Sequence, residues 1–501
     1  MSDPTTNVVE PPETKPAADA APAAPSAPTT SRKRALRSSD TAPHMTVEDY
    51  IKWKSRNQYY YDGLSQLFQL NIPAGARVLE IGCGDGDLLA AVQPKVGVGI
   101  DLNSSIIKYA SKRHPRLTFH EADGHGFEID QKFDYVILSN LLGEVDDIQQ
   151  VLQQVQRMCH AKTKLLITHY NYVWEPVLRL AQKFGWRRPL PLQNWLGFAD
   201  MQNLLEMCDY RIVRKQLRTL LPKYVPLLSY FCNRFLGVLP GINHLCMTTF
   251  VVAMPKPAPL DPKNVTCTVV IPTKNEKGNI ENAIKWTPAM GKHTEFIFVD
   301  GQSTDGTIEE IQRVIEKYPD HDIKYFQQDG KGKGDAVRKA FEHAEGDVLI
   351  ILDSDLTVPP QDMPKFFDAL VCGRGEFING SRLVYPLQDQ SMRFLNHIAN
   401  KTFAVMFSWL LEQRLKDTLC GTKVLHRDDY TLIAANRDYF GDFDPFGDFD
   451  LLFGAAKLNL KIVEIPIRYQ PRTYGEIKIN RFRDGWMLLK MCCLAFRKLK
   501  L

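Results

Sequence analysis

The sequence predicts an α/β protein of two domains, each with its own sheet. Three observations point there. Short apolar runs alternate with helical patterns over residues 46–255, and a second such series fills residues 264–501. Each series places polar, turn-forming residues directly after its apolar strands. Between the two, Pro255, Pro257, Pro259 and Pro262 fall within eight residues, so residues 256–263 read as a Pro-rich linker. A chain of 501 residues has room for this, at roughly 100–200 residues per domain.

The bulk composition narrows the function classes. The formal net charge is +4, too small for this length to indicate a nucleic-acid binder, and none is expected as a partner. Ten cysteines contain no C-x-x-C pair and lie mostly in apolar stretches, which fits reduced, buried thiols in a cytoplasmic protein. No apolar run reaches the length of a membrane span, and no secretory signal opens the chain. Residues 1–43 hold eight prolines and nine alanines and are expected to be disordered. The basic cluster Arg32, Lys33, Arg34 and Arg37 within them leaves a solvated tail and a surface contact both open.

In the first series, strands are expected at Arg77–Ile81, Val96–Ile100, Leu117–Glu121, Phe133–Leu138 and Lys164–Thr168, with a helix over Asp146–Cys159. The first strand runs into Gly82-Cys-Gly84-Asp-Gly86, a turn that lets a ligand approach the backbone beside a helix N-terminus. Asp87 stands where a dinucleotide fingerprint needs glycine. Asp101 closes the second strand, where a carboxylate can accept from ribose hydroxyls, and Asp123 follows the third. Together these residues resemble the class I S-adenosylmethionine-dependent methyltransferases over about 120 residues of the chain. The resemblance implies a Rossmann-like sheet. It also implies that Glu80, Gly82 and Gly84 flank the methionine part of the cofactor, that Asp101 holds its ribose, and that Asp123 faces its adenine. Ser139-Asn140-Leu141-Leu142 lacks the pattern of amino-group methylases. His169 is open as a general base or as a structural histidine, and the apolar insert Leu220–Asn243 reads by default as a buried cap.

The second series carries the stronger signal. Strands are expected at Thr266–Ile271, Glu295–Val299, Ile323–Phe326 and Val348–Leu352, and helices at Gly278–Lys285, Thr307–Lys317, Asp335–His343 and Gln361–Leu370. Pro272 ends the first strand, and Asn275 and Glu276 follow at its carboxyl end, where α/β sheets bind ligands. Asp300 ends the second strand and is not needed as a helix cap, which leaves it open to a base or ribose. The buried strand Val348–Leu352 delivers Asp353-Ser-Asp355. Two clustered carboxylates repel unless a cation lies between them, and hard oxygen donors suit Mg²⁺ or Mn²⁺.

These motifs, with Gly332-x-Gly334, Gly380-Ser-Arg382, Asp417-Thr-x-Cys-Gly421 and Arg472-x-x-Gly475-x-x-Lys478, resemble the family 2 inverting glycosyltransferases of GT-A fold. Dolichol-phosphate mannosyltransferases and other polyprenyl-phosphate glycosyltransferases are the nearest in kind. The likeness implies a hexosyltransferase. Pro272, Asn275, Glu276, Asp300 and Gly334 would hold the nucleotide sugar, and Asp353 and Asp355 would bind metal and donor. Arg382, Arg472 and Lys478 would receive an acceptor phosphate. Gly301 departs from the family's paired aspartates. A hydroxyl acceptor would need a general base, for which Asp417, Asp448 and Asp450 are candidates, whereas a phosphate would need none.

Residues 393–411 and the basic, apolar stretch 481–501 read as membrane-surface segments, with a core-packing helix that has a charged end as the alternative. The whole is therefore expected to be a bifunctional transferase, peripheral on the cytoplasmic membrane face. It would use S-adenosylmethionine and a divalent metal. The alternative is transfer to a soluble sugar or protein hydroxyl, with the methyltransferase-like half as an inactive scaffold.

Overall fold

The computed structural model describes residues 45–187, 193–385, 394–437, 448–475 and 481–500. The Pro/Ala-rich tail with its basic cluster, and Lys478, lie outside these residues.

The first sheet has seven strands: β1 (Arg77–Ile81), β2 (Val96–Asp101), β3 (Thr118–Glu121), β4 (Phe133–Ser139), β5 (Cys159–Tyr170), β6 (Tyr210–Arg218) and β7 (Thr248–Pro255). Their order is β3-β2-β1-β4-β5-β7-β6. The first five run parallel, and β7 enters antiparallel between β5 and β6. Helices α1 (Val47–Arg56), α2 (Gln58–Asn71), α3 (Asp87–Ala91), α4 (Ser104–Arg113), α5 (Ile148–Gln156), α6 (Glu175–Lys183), α7 (Phe198–Met207) and α8 (Leu228–Arg234) accompany it. The chain changes direction across the sheet at β1 and β4, so their carboxyl ends open a crevice.

The second sheet repeats that logic. Strands β8 (Thr266–Thr273), β9 (His293–Asp300), β10 (Asp322–Gln327), β11 (Val348–Ile351), β12 (Phe377–Ser381), β13 (Lys423–His426) and β14 (Ile462–Pro466) lie in the order β10-β9-β8-β11-β13-β12-β14. β13 is antiparallel to both of its neighbours. Helices α9 (Ile280–Trp286), α10 (Thr307–Lys317), α11 (Lys333–His343), α12 (Met363–Val371), α13 (Phe394–Leu411), α14 (Arg427–Ala435), α15 (Asp448–Lys457) and α16 (Arg481–Leu499) complete it. Strands β8 and β11 read as continuous apolar runs because both faces are covered: Val269, Val270, Ile271 and Val348 to Leu352 are fully buried.

Two expectations are revised. Cys159 begins β5 rather than ending a helix. The apolar insert Leu220–Asn243 is not a buried cap, since most of its large side chains are exposed. The C-terminal α16 turns Leu488, Met491, Cys492 and Ala495 into the core at helical spacing, leaving Trp486 and Leu489 outward.

The described residues of the two sheets share an interface. Lys164 of β5 pairs with Glu376 at 2.8 Å, and both are buried. Arg211 donates to the carbonyls of Gly373 and Arg374, and Lys162 pairs with Asp429 at 2.9 Å.

Candidate functional site

The second site is assembled at the carboxyl ends of β8, β9 and β11. Strand register sets Pro272 opposite Val299 and Thr273 opposite Asp300. Asn275 takes a left-handed conformation, φ 51°, which turns its side chain to accept from the Thr304 amide at 2.9 Å. Its own amide donates to Ser303 Oγ at 2.8 Å. The loops after β8 and β9 are thereby sewn together. Asp300 is fully buried and accepts from the Ser303 amide at 2.8 Å and from its hydroxyl. It therefore fixes the turn rather than waiting open for a base or ribose.

Asp353 and Asp355 leave β11 on the same side of the sheet as that loop, and each meets a cation. Asp353 Oδ1 lies 2.6 Å from Lys333 Nζ at the start of α11, one residue before the buried Gly334. Asp355 Oδ2 lies 2.6 Å from an Arg472 nitrogen, and its other oxygen accepts from the Thr357 amide and hydroxyl. Burial disfavours the charge on Asp353, but Lys333, Lys423 and Arg382 outweigh it and hold its pKa below the usual carboxylate range. Arg472 also reaches Glu276, at 3.5 Å, and Glu276 accepts from Asn279 at 2.9 Å. Gly475 packs on the Glu276 carboxylate, and Tyr474 donates to Asp305 at 3.3 Å. The segment 472–475 thus lies over the loop that follows β8.

Asp417 is differently placed. It is fully buried and accepts from the Arg382 amide at 3.0 Å, from Arg382 Nε at 2.6 Å and from a second guanidinium nitrogen at 2.8 Å. Asn400 and the Leu419 amide complete its shell at 3.1 and 3.0 Å. Burial would raise its pKa, but the charge and hydrogen bonds of Arg382 bring it down to about 2. A carboxylate so saturated does not fit the role of a base. Asp450 is paired too, with Arg437 at 2.9 Å. A few residues on, Gly421 lies against Asp353 and Lys333 so closely that a Cβ would collide with both. The motif therefore meets the metal-candidate carboxylate through its glycine, not through its aspartate.

Two carboxylates with water and diphosphate oxygens form a donor set that Mg²⁺ accepts, since it keeps much of its water and takes one or two protein carboxylates. Among the described residues no group of three His, Cys, Asp or Glu gathers as a metal cage. The pair Asp353 and Asp355 fits a metal shared with a bound diphosphate, not one held by protein alone.

The first site lies at the ends of β1 and β2. Gly82, Gly84 and Gly86 alternate along the turn with φ of 74°, 52° and 76°, a backbone open to glycine at little cost. Asp101 accepts from the Gly84 amide at 3.0 Å and the Asn103 amide at 2.9 Å, tying the glycine turn to the second strand end. Glu80 is buried with one carboxylate oxygen unpartnered, and burial drives its pKa well above the usual range. An orphaned carboxylate oxygen beside a glycine cradle suits a cationic ligand group. Asp123 is half-exposed and pairs with His125 at 2.6 Å. Lys54 of α1 clamps both Asp85 and Asp87, and the Tyr50 hydroxyl rests against Gly84. His169 is buried, its Nδ1 bonded to the Tyr170 carbonyl at 3.1 Å and its Nε2 without a partner among the described residues, and burial lowers its pKa.

Sequence reading missed Lys333, Lys423, Lys54 and Tyr50. Only Lys333 carried a signal, between Gly332 and Gly334.

Comparison with known proteins agrees with the two-sheet division. Residues 53–217 match the methyltransferase domain family model, and residues 268–440 match glycosyl transferase family 2. The chain is similar to the low-salt glycan biosynthesis hexosyltransferase Agl6 of Haloferax volcanii, with 30% identity over 226 residues, covering 44% of this chain and 51% of that protein. It is similar to the dolichol-phosphate mannosyltransferase of Pyrococcus furiosus, with 29% identity over 218 residues, covering 42% and 58%. The chain thus spans about half the length of these curated relatives. Among solved structures, a SAM-dependent methyltransferase of Thermotoga maritima, described as a possible histamine N-methyltransferase, aligns with 14% identity and a TM-score of 0.34, over 42% of this chain and 96% of that one.

Proposed function

We propose, for an enzyme that carries a methyltransferase domain ahead of a glycosyl transferase family 2 domain, that the second domain transfers a sugar with inversion from a nucleotide diphosphate to a polyprenyl phosphate at a membrane surface. The boundaries we assign are 46–255 and 264–501.

The observation that carries this reading is the state of Asp417. A hydroxyl acceptor needs a general base to take its proton, and of the candidate carboxylates Asp417 is saturated by Arg382 and Asp450 is paired with Arg437. A phosphate acceptor is already largely anionic near neutral pH and needs cations instead. Lys333, Arg382, Lys423 and Arg472 all lie close to Asp353 or Asp355 or act on them electrostatically. A guanidinium has five donors, so one carboxylate pair does not exhaust it. Similarity to a dolichol-phosphate mannosyltransferase supports the same acceptor class.

In this reading Pro272, Asn275, Glu276, Asp300 and Gly334 shape the nucleotide-sugar pocket, Asp300 doing so through the Ser303 turn. Asp353 and Asp355 hold Mg²⁺ or Mn²⁺, which would stabilise charge on the departing diphosphate. Arg382 and Arg472, with Lys478, receive the acceptor phosphate. Asp417 positions Arg382. The first domain binds S-adenosylmethionine through Glu80, Gly82, Gly84, Asp101 and Asp123, and the unpartnered Glu80 oxygen favours a functional site over an empty scaffold. No described helix is long and apolar enough to cross a membrane, so contact would be peripheral.

The test is nucleotide diphosphate release by the full chain from a panel of nucleotide sugars, with and without polyprenyl phosphate. Release stimulated by the lipid phosphate and abolished by a chelator is expected. Stimulation only by soluble sugars or peptides would refute the acceptor. Calorimetric titration with S-adenosylmethionine tests the first domain, and absence of binding heat would favour the scaffold.

A further inference from the structure

The stretch between β6 and β7 folds into a loop that is braced by its own side-chain hydrogen bonds and sends most of its large apolar side chains outward. Asn233 closes the base, accepting from the Leu221 amide and donating to the Leu221 carbonyl, both at 2.8 Å. The fully buried Ser229 hydroxyl donates to the Lys223 carbonyl at 2.7 Å and accepts from the Val225 amide. Yet Leu227 at its apex is 87% exposed, Tyr224 68% and Phe231 51%. Leu227 also holds a positive φ of 62°, a strained conformation for a leucine in open solvent.

This tip does not stand alone. The Trp174 indole donates to the Leu245 carbonyl at 2.7 Å, which joins the loop's far end to the segment leading into α6. There Leu180, Phe184 and Trp186 are exposed as well. On the other side, the Trp409 indole of α13 donates to the Val238 carbonyl at 2.7 Å, so the loop is also fastened to the second sheet's helices. Isolated exposed apolar residues are ordinary, but a cluster of this kind marks an interaction surface.

Charge indicates the occupant. Residues 219–247 contain no Asp or Glu, while Lys223 and Arg234 stand on either side of the tip in sequence. Arg234 lies over the Tyr230 ring at 5.8 Å, and Lys223 is held at the loop base by the Arg56 carbonyl and Asn57. Aromatics and cations around an apolar tip match a bilayer interface, with hydrocarbon under anionic headgroups. A second copy would set these cations against themselves with no carboxylate in the loop to answer them.

We infer that the loop around Leu227, with α6 and its C-terminal extension, is the membrane-docking surface, so that the methyltransferase half seats the glycosyltransferase on the bilayer. The inference rests on the lipid-acceptor reading for why a bilayer is met, and on the loop's construction for where. It displaces α16 from that role, because α16 spends its apolar face on the core.

The full chain is to be sedimented with phosphatidylcholine vesicles and with vesicles of phosphatidylcholine and phosphatidylglycerol. Binding is expected, stronger to the anionic vesicles. The double variant Leu227→Asp, Phe231→Asp should partition about tenfold or more weaker, while Trp486→Asp, Leu489→Asp changes partitioning little. Circular dichroism guards against misfolding, with Leu227→Ser as the milder variant. Vesicle binding that survives the loop changes, is lost with the α16 changes, or is absent in the wild-type chain would overturn the inference. So would elution as a dimer that the loop variant converts to monomer. Nucleotide release toward a short, freely soluble prenyl phosphate should be unchanged in the loop variant. If that release is absent while loop-dependent binding holds, the acceptor reading falls and the docking surface stands.

Discussion

Asp353 and Asp355 hold lysine and arginine where the proposed chemistry needs a divalent ion, so each neutral substitution tests both binding and turnover. Asp353→Asn and Asp355→Asn should each lower sugar-dependent nucleotide release by at least about a hundredfold, with unchanged circular dichroism. Activity within a few fold of wild type would remove them from the site. Asp417→Asn predicts a different loss. It strands a buried guanidinium, so the denaturation midpoint should fall by the equivalent of about 3–5 kcal/mol. The pH sign follows from the depressed pKa. The Asp417 contribution is full above the ordinary carboxylate range and is lost as pH falls toward about 2. The wild type should therefore shed stability on acidification more steeply than the variant, as read from denaturant titrations at several pH values. The residues that sequence made legible were those at strand ends, because an apolar strand announces where its polar end must lie. The pairing of Arg382 with Asp417 was not legible, since the partners stand 35 positions apart and only packing makes them meet.

At the scale of elements, the first five strands of one sheet and the first four of the other could be read from sequence, whereas β6, β7, β12, β13 and β14 could not. β1, β2, β4, β8, β9 and β11 are apolar runs followed by turns, with both faces buried. β7 sits inside a longer apolar stretch, so periodicity alone did not separate it from the exposed loop before it. α16 was legible as an amphipathic helix but not in its direction. Its apolar residues serve a core as well as they serve lipid, and packing of Leu488 beside Met491 decides for the core. Leu488→Ala should therefore cost about 2–5 kcal/mol in denaturant unfolding. A change of a few tenths would return the helix to the surface.

Across the whole molecule, the two sheets are joined by buried charge rather than by a slack tether. Lys164 and Glu376 face each other with little solvent, so Glu376→Gln leaves an ammonium uncompensated and should cost about 3–5 kcal/mol. Calorimetry of the full chain should give one transition that this variant moves downward. Two separated transitions, with only one moved, would contradict a shared interface. The Pro-rich stretch between the sheets was legible as a break in regular structure, but sequence gave no sign that buried ion pairs would hold the halves together. That union gives the proposed docking loop of one half and the proposed sugar-transfer site of the other a common frame. If this frame delivers a sugar to a lipid phosphate, the bond in the product reports it most directly. After incubation with nucleotide sugar, divalent metal and polyprenyl phosphate, mass spectrometry with mild acid treatment should find an acid-labile glycosyl phosphate. An acid-stable glycoside on a hydroxyl, with the lipid phosphate unmodified, would contradict the account.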